Sequence, residues 1–206
     1  MIIFAFSRYF LPYKGASNGK AIAIPKGIVT LFGVLAVISF LGEGGMMDWS
    51  GVFLTEAKGV DLSLAGVGYA VFSAAMLIGR LIGDKVVQKL GEQRVVIFGG
   101  IVASIGYIIS IVFDNFFMMQ FGFILLGFGA ANIVPVVFTL LGRQKEMPIN
   151  SAVTAVTSMG YLGVMFGPAL LGFIAHGIGI VAVFCILAGL FILQAIVSSY
   201  VFKVLN

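Results

Sequence analysis

Six apolar runs occupy nearly everything after residue 26: roughly 27–55, 63–84, 93–113, 115–141, 149–175 and 178–203. Each is long enough to cross a hydrocarbon layer of about 30 Å as an α-helix, which takes about 20 residues. In lipid every backbone N–H and C=O must find a partner within its own segment or in a closed barrel. The ten-residue alternation of a barrel strand is absent, so the chain is predicted to be an all-α membrane protein of six transmembrane helices. With 61% hydrophobic and 10% charged residues and a mean hydropathy of +1.16, the polar skin of a water-soluble domain is missing. The lipid bilayer is therefore the first partner.

The charges that remain set an orientation. Arg8, Lys14, Lys20 and Lys26 precede the first run, and Arg80, Lys85, Lys89 and Arg94 lie between the second and third. Arg143 and Lys145 separate the fourth and fifth, and Lys203 is near the end. Only Lys58 falls on the other side, so both termini are expected in the cytoplasm. The net charge of +4 is spread between spans and forms no nucleic-acid-binding patch. Met1–Pro12 is too short to cross a bilayer and reads as the tail of a preceding helix, with a loop up to residue 26.

Catalytic chemistry has no foothold in the pattern. There is no Gly-Lys-Ser/Thr phosphate loop, and no serine has a credible histidine base. No His/Cys/acid cluster suggests a metal, the lone Cys185 sits inside an apolar run, and no cofactor is implied. The informative polar residues lie in the spans. GEGGMMDWSG, residues 42–51, puts Glu43 and Asp48 among hydrocarbon. Starting from Ile28, Glu43 lies about 22 Å along the first helix, past the midplane. Acids at such depth face a bundle interior or a watery cavity. Glu43 is thus either a protonatable or substrate-binding carboxylate, or a structural acid bonded to backbone freed by its glycines. Those glycines predict a helix break, with Asp48 capping the segment Trp49–Glu56. Asp48 is the second coupling candidate, and Trp49 is either an interfacial anchor or a gate residue.

Gln120 and Asn132 in the fourth run, with Gly127, Gly129 and Pro135, predict close packing and a kink. Together with Tyr161 in the fifth run they are candidates for a cavity wall or gate; Gln120 and Asn132 serve equally as hydrogen-bonding glue, the role assigned to Gln194. His176 is expected in an external turn. Arg80 and Asp84, four apart, would share a helical face and could pair. Gly79 and Gly83 make a small-xxx-small step, and Gly91 suits a turn.

Gly79-Arg80-x-x-Gly83-Asp84-Lys85, with Gly91 and Arg94 beyond, resembles the cytoplasmic motif of the major facilitator superfamily. Glu43-Gly-x-x-x-Asp48-Trp49-Ser50, followed by Phe72-Ser-x-x-Met76-x-x-Gly79-Arg80, is similar to the seventh and eighth helices of a bacterial branch related to fucose permeases. Gly163, Gly167, Pro168 and Gly172 resemble a glycine-proline motif of the family's antiporters, although a tight helix accounts for them equally. The resemblance implies the C-terminal six-helix half of a twelve-helix transporter in a bacterial inner membrane. It further implies alternating access, a small polar solute such as a sugar or related metabolite, and proton-coupled symport. An N-terminal half or a second copy would complete the transporter. The alternative is a truncated or split fragment that packs in the membrane and transports nothing alone.

Overall fold

The computed structural model describes residues 23–205. The expectation of a preceding helix and loop over 1–26 therefore falls almost wholly outside the described residues. Among the described residues there is no strand, and six helical stretches are long and apolar enough to span a membrane: Ile28–Ala57, Leu62–Leu81, Glu92–Val112, Phe116–Leu141, Ile149–Ile178 and Ile180–Leu205. Each boundary lies within about three residues of its expected place.

Eight α-helices compose these spans and one surface connection. Helix α1 is Ile28–Val52, continued by a π-helical turn at Phe53–Ala57; α2 is Val67–Leu81, α3 Gly83–Leu90 and α4 Glu92–Val112. The fourth span is split into α5, Phe116–Ala130, and α6, Ile133–Leu141; α7 is Ile149–Ile178 and α8 Ile180–Leu205. The split precedes Pro135, whose missing N–H falls harmlessly in the first turn of α6.

Glycine sets how closely the helices approach. In α4 and α5, Gly106 and Gly122 face each other so that a Cβ on either would lie 2.5–2.6 Å from the other's carbonyl oxygen. Gly129 meets Ala103 N and Gly99 O at 2.5 and 2.6 Å in the same sense, while Gly127 faces the other way, 2.5 Å from Phe72 O of α2. Helix α5 is therefore clamped between α2 and α4, backbone to backbone, which is how membrane helices gain dispersion contact where lipid offers no hydrophobic drive. Helix α8 packs on α4 and α1, and α7 on α1. A chain of rings ties the ends of these pairs together: Phe53 stacks on Phe184 at 4.0 Å, and Tyr107 meets Phe184 edge-on at 5.3 Å.

Buried polar side chains are mostly satisfied across helices or along them. Gln194 donates to Ser39 Oγ at 2.8 Å, and Ser104 Oγ to Ala188 O at 2.9 Å. At one end Arg143 pairs with Glu92 at 2.8 Å, and the Glu146 carboxylate accepts from the N–H of Ile28 at 3.2 Å. Glu146 thereby caps α1, at the end where the helix dipole favours an anion. At the other end Lys58 Nζ pairs with Asp114 and also donates to Ile111 O, both at 2.7 Å. Asp61 caps the turn before α2; the hydroxyl and amide of Ser63 hold its exposed carboxyl below the usual carboxylate range.

Three local expectations are corrected. No break occurs at Gly42–Gly51: α1 runs unbroken to Val52, because Gly42 and Gly45 admit Phe191 and Leu187 of α8 against the helix instead of bending it. Asp48 is consequently an exposed side chain in mid-helix and caps nothing. His176 is not in a turn but in the last turn of α7, which continues to Ile178.

Candidate functional site

The wide side of the bundle lies between α1 and α2. Near the Lys58 end a Cβ at Gly51 would lie 3.5 Å from the carbonyl oxygen of Ala65, just before α2, and direct contact between the two helices is otherwise sparse. The gap they leave, closed on the far side by α7, is a cavity of about 370 Å³. Its apolar wall is Phe40, Met47, Phe72, Met76, Leu77 and Val164. Polar groups are few: Tyr69, Ser73, Glu43 and Arg80. Gly44 leaves room in the wall, since nothing lies within 4 Å of where its Cβ would be.

Glu43 is the sixteenth residue of the thirty in its span, Ile28–Ala57, so it sits at the middle and not beyond it. Its partner was not legible from spacing. Arg80 Nη2 donates to both carboxylate oxygens of Glu43, at 3.2 and 3.3 Å, and Arg80 Nε approaches Ala131 O at 3.4 Å. The expected pairing of Arg80 with Asp84 is thereby replaced. Helix α2 ends at Leu81 and α3 starts afresh at Gly83, so the four-residue spacing does not lie on one continuous helix. A helical side chain leans towards its own N-terminus, which directs Arg80 back into the span and not out to the basic end. Asp84 instead occupies the first turn of α3 and Lys89 the last, the signs that the helix dipole prefers.

The pair is asymmetrically exposed: 46% for the Arg80 side chain and 21% for Glu43. Behind Glu43, the fully buried Tyr107 donates its hydroxyl to Gly42 O at 3.1 Å, fixing the backbone beside the carboxylate. Arg80 is held from behind by the motif's glycines. A Cβ at Gly79 would come within 2.7 Å of Ala131 Cβ, and one at Gly83 within 2.1 Å of Asn132 Oδ1. Asn132 Nδ2 in turn donates to Gly79 O at 3.0 Å. Asn132 thus ties the α5–α6 junction to α2 and stands outside the cavity wall.

The other singled-out residues fall in several places. Tyr161 is 65% exposed and stacks on Phe40 at 6.3 Å, at the cavity's α7 flank. Trp49 covers Gly172, where a Cβ would be 3.1 Å from the indole, and its Nε1 has no partner among the described residues. Gln120 is buried near the other end of α5, away from the cavity, with neither amide atom bonded among the described residues. Gly163 and Gly167 seat Val37 and Leu41 of α1, and α7 passes through Pro168 without interruption. Lys85 and Arg94 are exposed at the basic end, and Gly91 makes the α3–α4 turn at φ +80°. Tyr69, Ser73 and Phe72 line the cavity but were not among the candidates read from the sequence. Phe72 and Ser73 carried a signal as part of the Phe72-Ser-x-x-Met76 stretch, whereas Tyr69 had only its membership of the same run as Arg80.

Comparison with known proteins now adds the lineage. The family model described as Major Facilitator Superfamily matches residues 32–205. The chain belongs to the Major Facilitator Superfamily. It is 47% identical over 159 residues to an uncharacterized MFS-type transporter of Yersinia pestis, covering 77% of this chain and 41% of that protein. It is 30% identical over 150 residues to membrane protein MosC of Rhizobium meliloti, covering 73% and 37% respectively. A TsgA homolog of Serratia proteamaculans is 26% identical, with 80% of this chain and 42% of that one covered. The chain therefore spans about two fifths of the length of the relatives it matches. Among solved structures, the POT family transporter PepTSo superimposes with a TM-score of 0.71 at 16% identity, over 87% of this chain and 38% of that one. The peptide transporter POT gives 0.70 at 21%, over 89% and 40%. At such identities the likeness concerns the fold alone.

Proposed function

We propose that this six-helix bundle is one half of a secondary transporter that moves a small solute across a bacterial inner membrane by alternating access, coupled to protons. The observation that carries the reading is the Glu43–Arg80 pair, in which an acid half-way along its span meets an arginine leaning back from the end of the next, in the wall of a cavity between α1 and α2. Ion pairs at that depth are costly to keep and mark solute or proton pathways. Facilitator-type transporters place their solute near the midplane between two repeated halves. The relatives' greater length supports a second six-helix unit, either an N-terminal half or a second copy, as the missing wall. Both termini would lie in the cytoplasm, with the basic end of the bundle inside. In this scheme Glu43 carries the proton, and the Arg80 motif reports its charge state to the α5–α6 junction through Gly79 and Asn132.

The test is uptake in proteoliposomes loaded with a pH indicator, using this chain alone and this chain joined to the matching half of a relative. A panel of sugars, amino acids and organic acids is offered with and without an imposed pH gradient. At least one solute is expected to accumulate and carry protons with it in the joined form. Glu43→Gln is expected to abolish the proton movement. Solute accumulation with undiminished proton entry in Glu43→Gln would remove Glu43 from coupling. No accumulation in either form would remove the transporter reading.

A further inference from the structure

We infer that the cavity takes a small organic monoanion with an apolar body, bound by Arg80 and accompanied by a proton on Glu43. The inference deepens the transport reading and rests on it for its physiological meaning. Its first support is the Arg80 guanidinium. Nη2 is committed to Glu43 and Nε to Ala131 O, whereas Nη1 donates to nothing among the described residues. Arg80 is also the more exposed member of the pair, at 46% against 21%. Both groups line the cavity, and the uncommitted Nη1 offers a ligand acceptor a donor that Glu43 does not occupy, whereas a ligand cation would have to share the acid with Nη2. A planar fork with free donors is suited to a carboxylate or a similar singly charged acid.

The wall decides what the rest of the ligand is. Apart from the ion pair, only Ser73 and Tyr69 bring side-chain hydroxyls to a lining otherwise made of Phe40, Met47, Phe72, Met76, Leu77 and Val164. A sugar or other polyol would bury several hydroxyls against that surface with too few partners, and each one left unpaired disfavours binding. An aromatic or branched aliphatic body instead matches the rings and thioethers. The volume, about 370 Å³, lies at the small end of small-molecule sites.

Charge balance supplies the proton. With Glu43 ionised the pair is neutral, so an added anion leaves one uncompensated negative charge in the cavity. A proton on Glu43 restores neutrality and frees Nη2 for the ligand. Proton and anion thus raise each other's affinity, by the reciprocity of linked binding. The other titratable or charged groups around Glu43 are Tyr69 on α2, Tyr107 on α4, and Asp48 on α1 itself; α7 brings Tyr161, and α8 meets this level of α1 with Leu187 and Phe191.

The test is equilibrium binding of radiolabelled benzoate to the purified full chain in detergent. Competitors are acetate, butyrate and 2-naphthoate, then benzamide, L-phenylalanine and L-fucose. Saturable benzoate binding is expected, with monoanions competing better as their apolar body grows and benzamide and L-fucose at least tenfold worse. Affinity should fall about tenfold per pH unit once Glu43 is ionised in the empty cavity. Arg80→Gln should weaken binding at least tenfold. Glu43→Gln should keep binding and lose its pH dependence, which separates a site effect from misfolding. Arg80→Lys, with a melting curve as the check on folding, should fall between wild type and Arg80→Gln. The assignment is overturned if no monoanion binds, if benzamide, L-fucose or L-phenylalanine competes as well as benzoate, or if Arg80→Gln binds normally. Anion binding without uptake in vesicles would leave this assignment standing and remove the transport reading.

Discussion

Gly127→Ala tests whether the bundle is held by backbone contact. The new methyl carbon would lie 2.5 Å from Phe72 O, 2.9 Å from Ala75 Cβ and 3.1 Å from Met76 N. The first and last are backbone atoms of α2, so no side chain can swing aside. Ordinary contact begins at 3.4 Å, and the helices must therefore part by about 0.9 Å at this level. Overpacking of this kind costs about 1–3 kcal/mol. Alanine's better helix propensity returns at most about 1 kcal/mol. With the propensity gain taken in full, a net loss of up to about 2 kcal/mol follows, or up to roughly 8 °C in melting temperature for a chain of this size. The control is Gly189→Ala in α8, where nothing lies within 4 Å of the new carbon. It carries the same propensity gain without the collision and should melt at or slightly above the wild-type temperature. Because Phe72 also lines the cavity, Gly127→Ala should in addition weaken whatever ligand binding the wild type displays. Thermal unfolding of the three proteins in one detergent decides the matter. If Gly127→Ala melts with Gly189→Ala, the close α2–α5 approach is not a stability determinant and the reasoning fails.

Other substitutions separate the polar contacts. Lys58→Met should destabilise more than Asp114→Asn, since the lysine is 7% exposed and also bonds Ile111 O, while its partner is 87% exposed; paired melting curves give the order. Tyr107→Phe removes the bond to Gly42 O and should cost about 0.5–1.5 kcal/mol, read as a melting shift, with no loss of membrane insertion. Glu146→Gln weakens the cap on α1 and should lower stability by about 0.3–1 kcal/mol, an effect that added salt reduces in the wild type.

Much of this architecture was legible because lipid leaves a chain few choices. Once irregular backbone is excluded from hydrocarbon, run length alone nearly fixes helix number and ends, and Pro135 marks the split in the fourth span. What a single chain cannot reveal is the neighbour each residue meets. Gly42 and Gly45 suggested a break because glycine weakens an isolated helix, yet here Phe191 and Leu187 fill the space and the helix persists. Arg80 and Asp84 suggested a pair because spacing speaks only of one helix. The interruption at Ile82 and the lean of the arginine side chain sent the two charges in opposite directions. Glu43 was singled out as a candidate from its cost in lipid, a property of the residue itself. Its partner, thirty-seven positions away, depended on packing.

The glycines also explain why the cavity lies where it does. Between α2, α5 and α4 the close atoms are carbonyl oxygens and amide nitrogens, which cannot move without moving a helix. Between α1 and α7 the closest atoms are ends of side chains, Met159 at Gly33, the Phe40 ring at Gly160 and Leu41 Cδ1 at Gly167, and the backbone approach at Gly163 is looser, 3.3 Å to Val37 O. The bundle is thus a rigid group, α2–α5–α4, and a more compliant pair, α1–α7, joined through α8. The Glu43–Arg80 ion pair crosses between α1 and α2, where direct helix contact is sparse. A charge change at Glu43 would therefore act on a seam that backbone contact holds less tightly than it holds α2–α5–α4. Had the two acidic and basic groups faced each other across α4 and α5, the glycine ladder would have held those helices in place whatever their charge.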